Sequence, residues 1–103
     1  MDLVATLKAL VAVDSTSTRS NGPIIDLLEK EAKALGLETR RMKWKDANGV
    51  DKYNLVCRRG PDQPGGLALV GHTDCVPFDH DWKDALAAVE KDGRIYGRGA
   101  ADT

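Results

Sequence analysis

The hydrophobic period of this chain changes once, at Gly36, and that change limits the folds open to it. Before it, Leu3, Val4, Leu7, Leu10 and Val11 recur at helical spacing, which predicts an amphipathic helix over residues 2–13. Asp14-Ser15-Thr16-Ser17-Thr18, residues that favour caps and turns, then breaks the pattern. Asn21-Gly22-Pro23 predicts a second helix start, because proline's fixed φ suits a first helical turn. Its apolar face is Ile24, Leu27, Leu28 and Leu35, and Gly36 is a fitting stop.

Beyond Gly36 the apolar residues thin to Leu37, Met42 and Trp44 in a charged background, which predicts an exposed strand. Asn48-Gly49 is a turn signal, and Tyr53–Cys57 reads as the returning strand. After the Pro61–Gly66 loop, Leu67-Ala68-Leu69-Val70 is short and wholly apolar, as expected of a strand buried on both faces. Asp92-Gly93 separates Ala88-Val89 from Ile95-Tyr96 and predicts a tight hairpin. Two helices followed by strands, one of them central, predict an α/β or α+β layered fold.

A chain of 103 residues has room for one small domain with a modest core. The net charge is −1, with both signs interspersed, so neither a basic stripe for nucleic acid nor an acidic tail is present. No apolar stretch approaches a membrane span, and Met1-Asp2-Leu3 lacks the start of a secretory signal. Cys57 and Cys75 are too few for a disulfide framework, which points to a reduced, cytoplasmic chain.

Chemistry concentrates in two segments. Gly71-His72-Thr73-Asp74-Cys75-Val76-Pro77 follows the apolar run directly, and alternation along an extended chain puts His72 and Asp74 on one side. A neutral imidazole there can bind a metal through one nitrogen while a carboxylate fixes its other N–H. The plainer account is a capped strand end with a merely polar histidine. The second segment is Tyr96-Gly97-Arg98-Gly99-Ala100-Ala101-Asp102. Its glycines let backbone pass close to a neighbour, but it lacks the third glycine and the Lys-Ser/Thr of phosphate-cradling loops. Read alone, it is an ordinary turn with a helix-capping aspartate.

Taken together, Gly-His-Thr-Asp-x-Val-Pro, then Trp82, then Asp92-Gly93-Arg94-Ile95-Tyr96-Gly97-Arg98-Gly99-Ala100-Ala101-Asp102 resembles the paired signature of one family. It is the acetylornithine deacetylase, succinyl-diaminopimelate desuccinylase, aminoacylase and glutamate carboxypeptidase family of dinuclear zinc hydrolases. The resemblance covers essentially the whole chain. It implies that residues 1–103 supply the N-terminal portion of a three-layer α/β catalytic domain with a central mixed sheet between helices. The rest of that domain and a dimerising domain would lie elsewhere. It also implies that His72 ligates one metal, Asp74 orients His72 and acts in catalysis, and Asp102 bridges two divalent ions, zinc or cobalt. The activity implied is hydrolysis of the amide of a small N-acyl amino acid, N-acetylornithine or N-acetylcitrulline first, with a dipeptidase or desuccinylase, or a non-catalytic binding domain, as alternatives. The glutamate base and remaining ligands would follow Thr103, so these residues alone are expected to be inactive. The family's peptide bond after this aspartate is often cis, and a chain ending at Thr103 is expected to hold it trans. One departure stands out: Ala85-Leu86 replace the Pro-Phe that usually follows Trp82-Lys83-Asp84. His80 reads best as a solvated loop residue and Cys75 as a small buried thiol, while Arg98 suits a substrate carboxylate and a structural bond equally.

Overall fold

The computed structural model describes residues 2–102. Helix α1 spans Leu3–Val11, and its start is set by Asp2, whose carboxylate accepts from the Val4 and Ala5 N–H groups at 3.0 and 3.3 Å. Those two donors would otherwise go unpaired in the first turn. Helix α2 spans Gly22–Ala34, with proline in its first turn, and ends before Gly36 at φ 75°. Ile24, Ile25 and Ala32 form its buried stripe, whereas Leu35, expected there, is exposed. Each buried isoleucine contributes roughly 1.5–3 kcal/mol of transfer free energy.

Strands β1, Glu38–Lys45, and β2, Asp51–Arg58, pair antiparallel from Glu38↔Arg58 to Lys45↔Asp51. The connecting turn carries Gly49 at φ 76°, and the Asp46 carboxylate accepts from the Asn48 and Val50 N–H groups. Helix α2 lies against this hairpin through Arg41 of β1, which donates to Asp26 at 2.7 Å and also to Glu29. Lys33, then Thr39 and Arg41, hold the Glu29 carboxyl down at about 2. A second hairpin joins β3, Val89–Lys91, to β4, Arg94–Tyr96. Asp92 and Gly93 both take positive φ, 52° and 73°, as a two-residue type I′ turn requires.

Asn21 does not cap α2 with its side chain. Its amide instead donates to the Tyr53 carbonyl and accepts from the Tyr53 N–H, both at 2.8 Å, acting as a one-residue strand neighbour for β2. Replacing Asn21 with alanine leaves two partly buried backbone groups unpaired. It is expected to cost about 1–2 kcal/mol, read as a lower denaturant midpoint at unchanged slope.

One expectation is corrected. Leu67–Val70 is not a buried strand: it pairs with nothing, and Leu67, Leu69 and Val70 are 89%, 90% and 95% exposed. A strand covered on both faces needs hydrogen-bonded neighbours and a layer above and below. Among the described residues β2 pairs only with β1, so neither neighbour nor layer is there to receive it. Among the described residues the sheets are two separate antiparallel pairs, in a small α/β arrangement. An open cleft of about 1120 Å³ remains between α1, α2 and β2, lined by Leu10, Ile25, Leu28 and Leu55 with Val70 at its margin. No helix among the described residues is long and apolar enough to cross a membrane. The Asp102–Thr103 peptide bond lies outside the described residues, and no cis peptide bond occurs within them.

Candidate active site

The segment that carries His72 and Asp74 is extended but belongs to no sheet. Its position is set from the loop between the two helices. Cys75 donates its N–H to the Ser15 carbonyl at 3.1 Å and accepts from the Ser17 N–H at 2.9 Å, which makes a parallel bridge with Thr16. That loop is itself stiffened by Asp14, whose carboxylate accepts from the Thr16 N–H and hydroxyl at 3.1 and 2.6 Å. The Thr16 hydroxyl bond is the main cause holding the Asp14 carboxyl below its ordinary range. Ser15 and Thr16 are buried polar residues. From sequence this stretch reads as a plain connection, and backbone bonds of this kind leave no side-chain signature by which to find them.

His72 uses both ring nitrogens. Nδ1 lies 3.0 Å from the Asp74 main-chain carbonyl and 3.2 Å from Asp74 Oδ1. Nε2 lies 3.2 Å from Asp102 Oδ1. The two segments singled out in the sequence therefore meet, with His72 between the two aspartates as the i, i+2 spacing of His72 and Asp74 requires. The expected orienting bond is refined in one respect. The carbonyl of Asp74 sits closer to the ring than its carboxylate and accepts the Nδ1–H bond, so the ring's tautomer is set by main chain. The remaining Nε2 faces Asp102.

The second segment is shaped by its glycines. Gly97 sits where an added Cβ would lie 2.5 Å from Val11 Cγ1 and 3.2 Å from the Ala85 carbonyl. Gly99 takes φ 77°, with Cys75 Cβ 3.5 Å from where its own Cβ would be. Arg98 donates its N–H to the Ala85 carbonyl at 2.7 Å and lays its guanidinium over the Trp82 ring, 5.0 Å from the centroid. A hollow of about 120 Å³ lies among His72, Asp74, Cys75, Arg98 and Asp102. His80 is exposed and takes no part in it, and Cys75 is a half-buried free thiol at its wall.

The imidazole is raised above its ordinary 6.5, chiefly by its bond to the Asp74 carbonyl; desolvation opposes this, and the Asp102 carboxylate and both aspartate charges add to the rise. A raised value means that the imidazolium is favoured in the folded chain. Its contribution to stability is complete below about 6.5 and is lost as pH rises through the raised value. In metal-free protein, the His72 ring protons followed by NMR are expected to titrate above 6.5. Asp102→Asn should lower the midpoint, and Asp74→Asn should lower it less than deletion of the carbonyl bond would, because that bond survives.

Among the described residues no three His, Cys, Asp or Glu side chains converge as a complete metal site would require. The pair His72–Asp102 fits two ligands of one. A tetrahedral ion with bonds of about 2.0–2.2 Å sets its donors about 3.3–3.6 Å apart, close to the 3.2 Å between Nε2 and Oδ1.

No protein-family model matches the chain. Individual proteins do. It is 52% identical over 103 residues to an acetylornithine deacetylase of Myxococcus xanthus, a match covering 98% of this chain and 27% of that protein. It is 41% identical over 102 residues to an acetylornithine deacetylase of Photorhabdus laumondii, covering 97% and 26%. To a succinyl-diaminopimelate desuccinylase of a Caulobacter strain it is 37% identical over 105 residues, covering 99% and 25%. The chain thus spans about a quarter of the length of the curated relatives it matches.

Proposed function

Because the chain belongs by sequence to the family of acetylornithine deacetylases and succinyl-diaminopimelate desuccinylases, we propose that the intact protein hydrolyses the amide bond of an N-acyl amino acid, N-acetylornithine first. The observation that carries this reading is the opposition of His72 Nε2 and Asp102 Oδ1 at 3.2 Å, with the ring's other nitrogen already tied to Asp74. Once the ring gives up its Nε2 proton, a nitrogen lone pair and a carboxylate face one point, which is what a divalent ion needs from its first two protein ligands. His72 and Asp102 would hold the metal, one of two divalent ions in this reading, with zinc or cobalt as the ions.

Such a metal supplies Lewis acidity to the acyl carbonyl and to water. The chain's own residues do the rest of what can be assigned. The Asp74 carbonyl and carboxylate hold the imidazole in the tautomer with Nε2 free, and the Gly97–Gly99 turn brings Asp102 to it. A general base is also needed. None of these residues supplies it, and this reading assigns it, with the remaining ligands, to the part of the protein beyond residue 103. Dimerisation through a further domain and a cytoplasmic location belong to the same proposal.

The similarity to the Caulobacter desuccinylase keeps N-succinyl-LL-diaminopimelate as the second substrate. Assay of the intact protein with N-acetyl-L-ornithine, N-acetyl-L-citrulline and N-succinyl-LL-diaminopimelate separates them. The expected result is at least about tenfold preference in kcat/KM for an acetylated substrate, a difference of about 1.4 kcal/mol in transition-state binding. Activity should vanish on chelation and return with zinc or cobalt. Full activity after exhaustive chelation, or no hydrolysis of any acyl amino acid, overturns the reading.

A further inference from the structure

Arg98 is the one charged side chain at the hollow that the proposed chemistry does not use. Its Nε is buried and has no hydrogen-bond partner among the described residues. An N–H stripped of water and given no acceptor raises the energy of the folded chain, so other contacts must hold the side chain in place. Two are visible. The guanidinium stacks on Trp82, and the Arg98 N–H reaches the Ala85 carbonyl. Ala85, only 1% exposed, is wedged where Gly97 has no room for a side chain.

The consequence is geometric. Residues 82–88 form a turn-rich loop with no strand of their own, and residues 97–102 form a second turn ending at Asp102. Arg98 is the point at which one is fastened to the other, through main chain on one side and a stacked side chain on the other. The Asp102 side chain is 91% exposed, and among the described residues its carboxylate bonds to His72 alone, so little in its own surroundings fixes where it stands. Its place must be inherited from the turn that carries it. We infer that Arg98, clamped between the Trp82 ring and the Ala85 carbonyl, is a positioning residue that sets Asp102 opposite His72. This rests on the proposed metal-binding role of those two residues.

The delocalised, weakly hydrated guanidinium suits its place over the indole, whereas a lysine keeps the charge as a compact, strongly hydrated ammonium on a flexible stem. Arg98→Lys should therefore resemble Arg98→Ala rather than the parent. Trp82→Ala should do the same, and the Arg98→Ala, Trp82→Ala double variant should be no worse than either single one, since both remove one clamp.

The test is calorimetric titration of the intact, metal-stripped protein with zinc alone. It is repeated for Arg98→Ala, Arg98→Lys, Trp82→Phe, Trp82→Ala and the double variant, each checked for folding by circular dichroism. A fluorescence titration accompanies it in a Trp44→Phe background, with the signal of the Trp82→Phe variant subtracted to isolate the emission of Trp82. The expected result is zinc affinity lowered by about 10–100-fold, as losses of ligand-orienting contacts typically are, in Arg98→Ala, Arg98→Lys and Trp82→Ala. The loss should be the same in the double variant and small in Trp82→Phe, which keeps an aromatic face. Zinc should shift Trp82 emission in the parent and not in Arg98→Lys. Parental affinity in folded Arg98→Lys, or single effects that multiply in the double variant, overturns the inference. Should Arg98→Ala fail to fold, Arg98→Lys and Trp82→Phe decide alone. No zinc binding by the parent sinks the metal reading instead, and the inference with it.

Discussion

His72→Ala in the intact protein is expected to remove one bound metal ion and nearly all hydrolytic activity. Lewis-acid stabilisation is worth several kcal/mol in the transition state, and at about 1.4 kcal/mol per factor of ten the loss should reach roughly a thousandfold in kcat. Metal content by mass spectrometry and steady-state kinetics on N-acetyl-L-ornithine check it. Both ions retained at full occupancy in the variant would show that His72 is not a ligand. The contrast with Asp74 is the informative part. The ring's Nδ1–H bond goes to the Asp74 main-chain carbonyl at 3.0 Å, which no substitution of the side chain removes. Asp74→Ala should therefore keep both metals and lose activity by only about 10–100-fold, chiefly through the carboxylate 3.2 Å from Nδ1.

The largest loss of stability is expected from Gly97→Ala. A methyl group there would stand 2.5 Å from Val11 Cγ1, the inward-facing branch of a residue that is itself buried. The Ala85 carbonyl at 3.2 Å closes the other side, and Ala88, already at φ 50°, lies 3.8 Å away and has little freedom to yield. Either α1 or the 82–88 loop must shift. Overpacking of this kind costs about 3 kcal/mol at the upper end of its usual range, which for a domain of this size lowers Tm by roughly 12–24 °C. A thermal melt shows it directly. A shift within a degree or two of the parent would mean that the helix and the loop are not in rigid contact. Gly99→Ala is a milder companion, because its neighbour Cys75 stands at ordinary contact distance and only the positive φ opposes the change.

What could be read in the sequence was what its local chemistry decides. The period of Leu3, Val4, Leu7, Leu10 and Val11 makes α1, Gly36 ends α2, Asn48-Gly49 and Asp92-Gly93 turn their hairpins, and each depends on residues a few positions apart. The capping of α1 by Asp2 was not read, the helix being expected to include it. The meeting of His72 with Asp74 follows from alternation, while the approach of Asp102 was expected from family resemblance alone. Leu67–Val70 shows where this reasoning stops. Four apolar residues in a row state a preference for burial, but the partners that would grant it are not in the run itself. Among the described residues no strand takes up that place. The orienting carbonyl of Asp74 and the hold of Ser15 and Ser17 on Cys75 were illegible for another reason. They are main-chain bonds that any residue types could make.

The crossing of Ser15–Ser17 with Cys75 also bears on the order in which the protein can assemble. Its two hydrogen bonds join residues about 60 apart in sequence, Ser15 and Ser17 to Cys75, so making them closes a long loop whose entropy must be met before any contact returns it. The helices and hairpins, all short-range, can form within microseconds, but the histidine segment has no register until that loop shuts. Hydrogen exchange offers a view of the event. The Cys75 and Ser17 amides should protect together and later than those of α2, marking the moment at which a floating extended segment becomes a wall of the site.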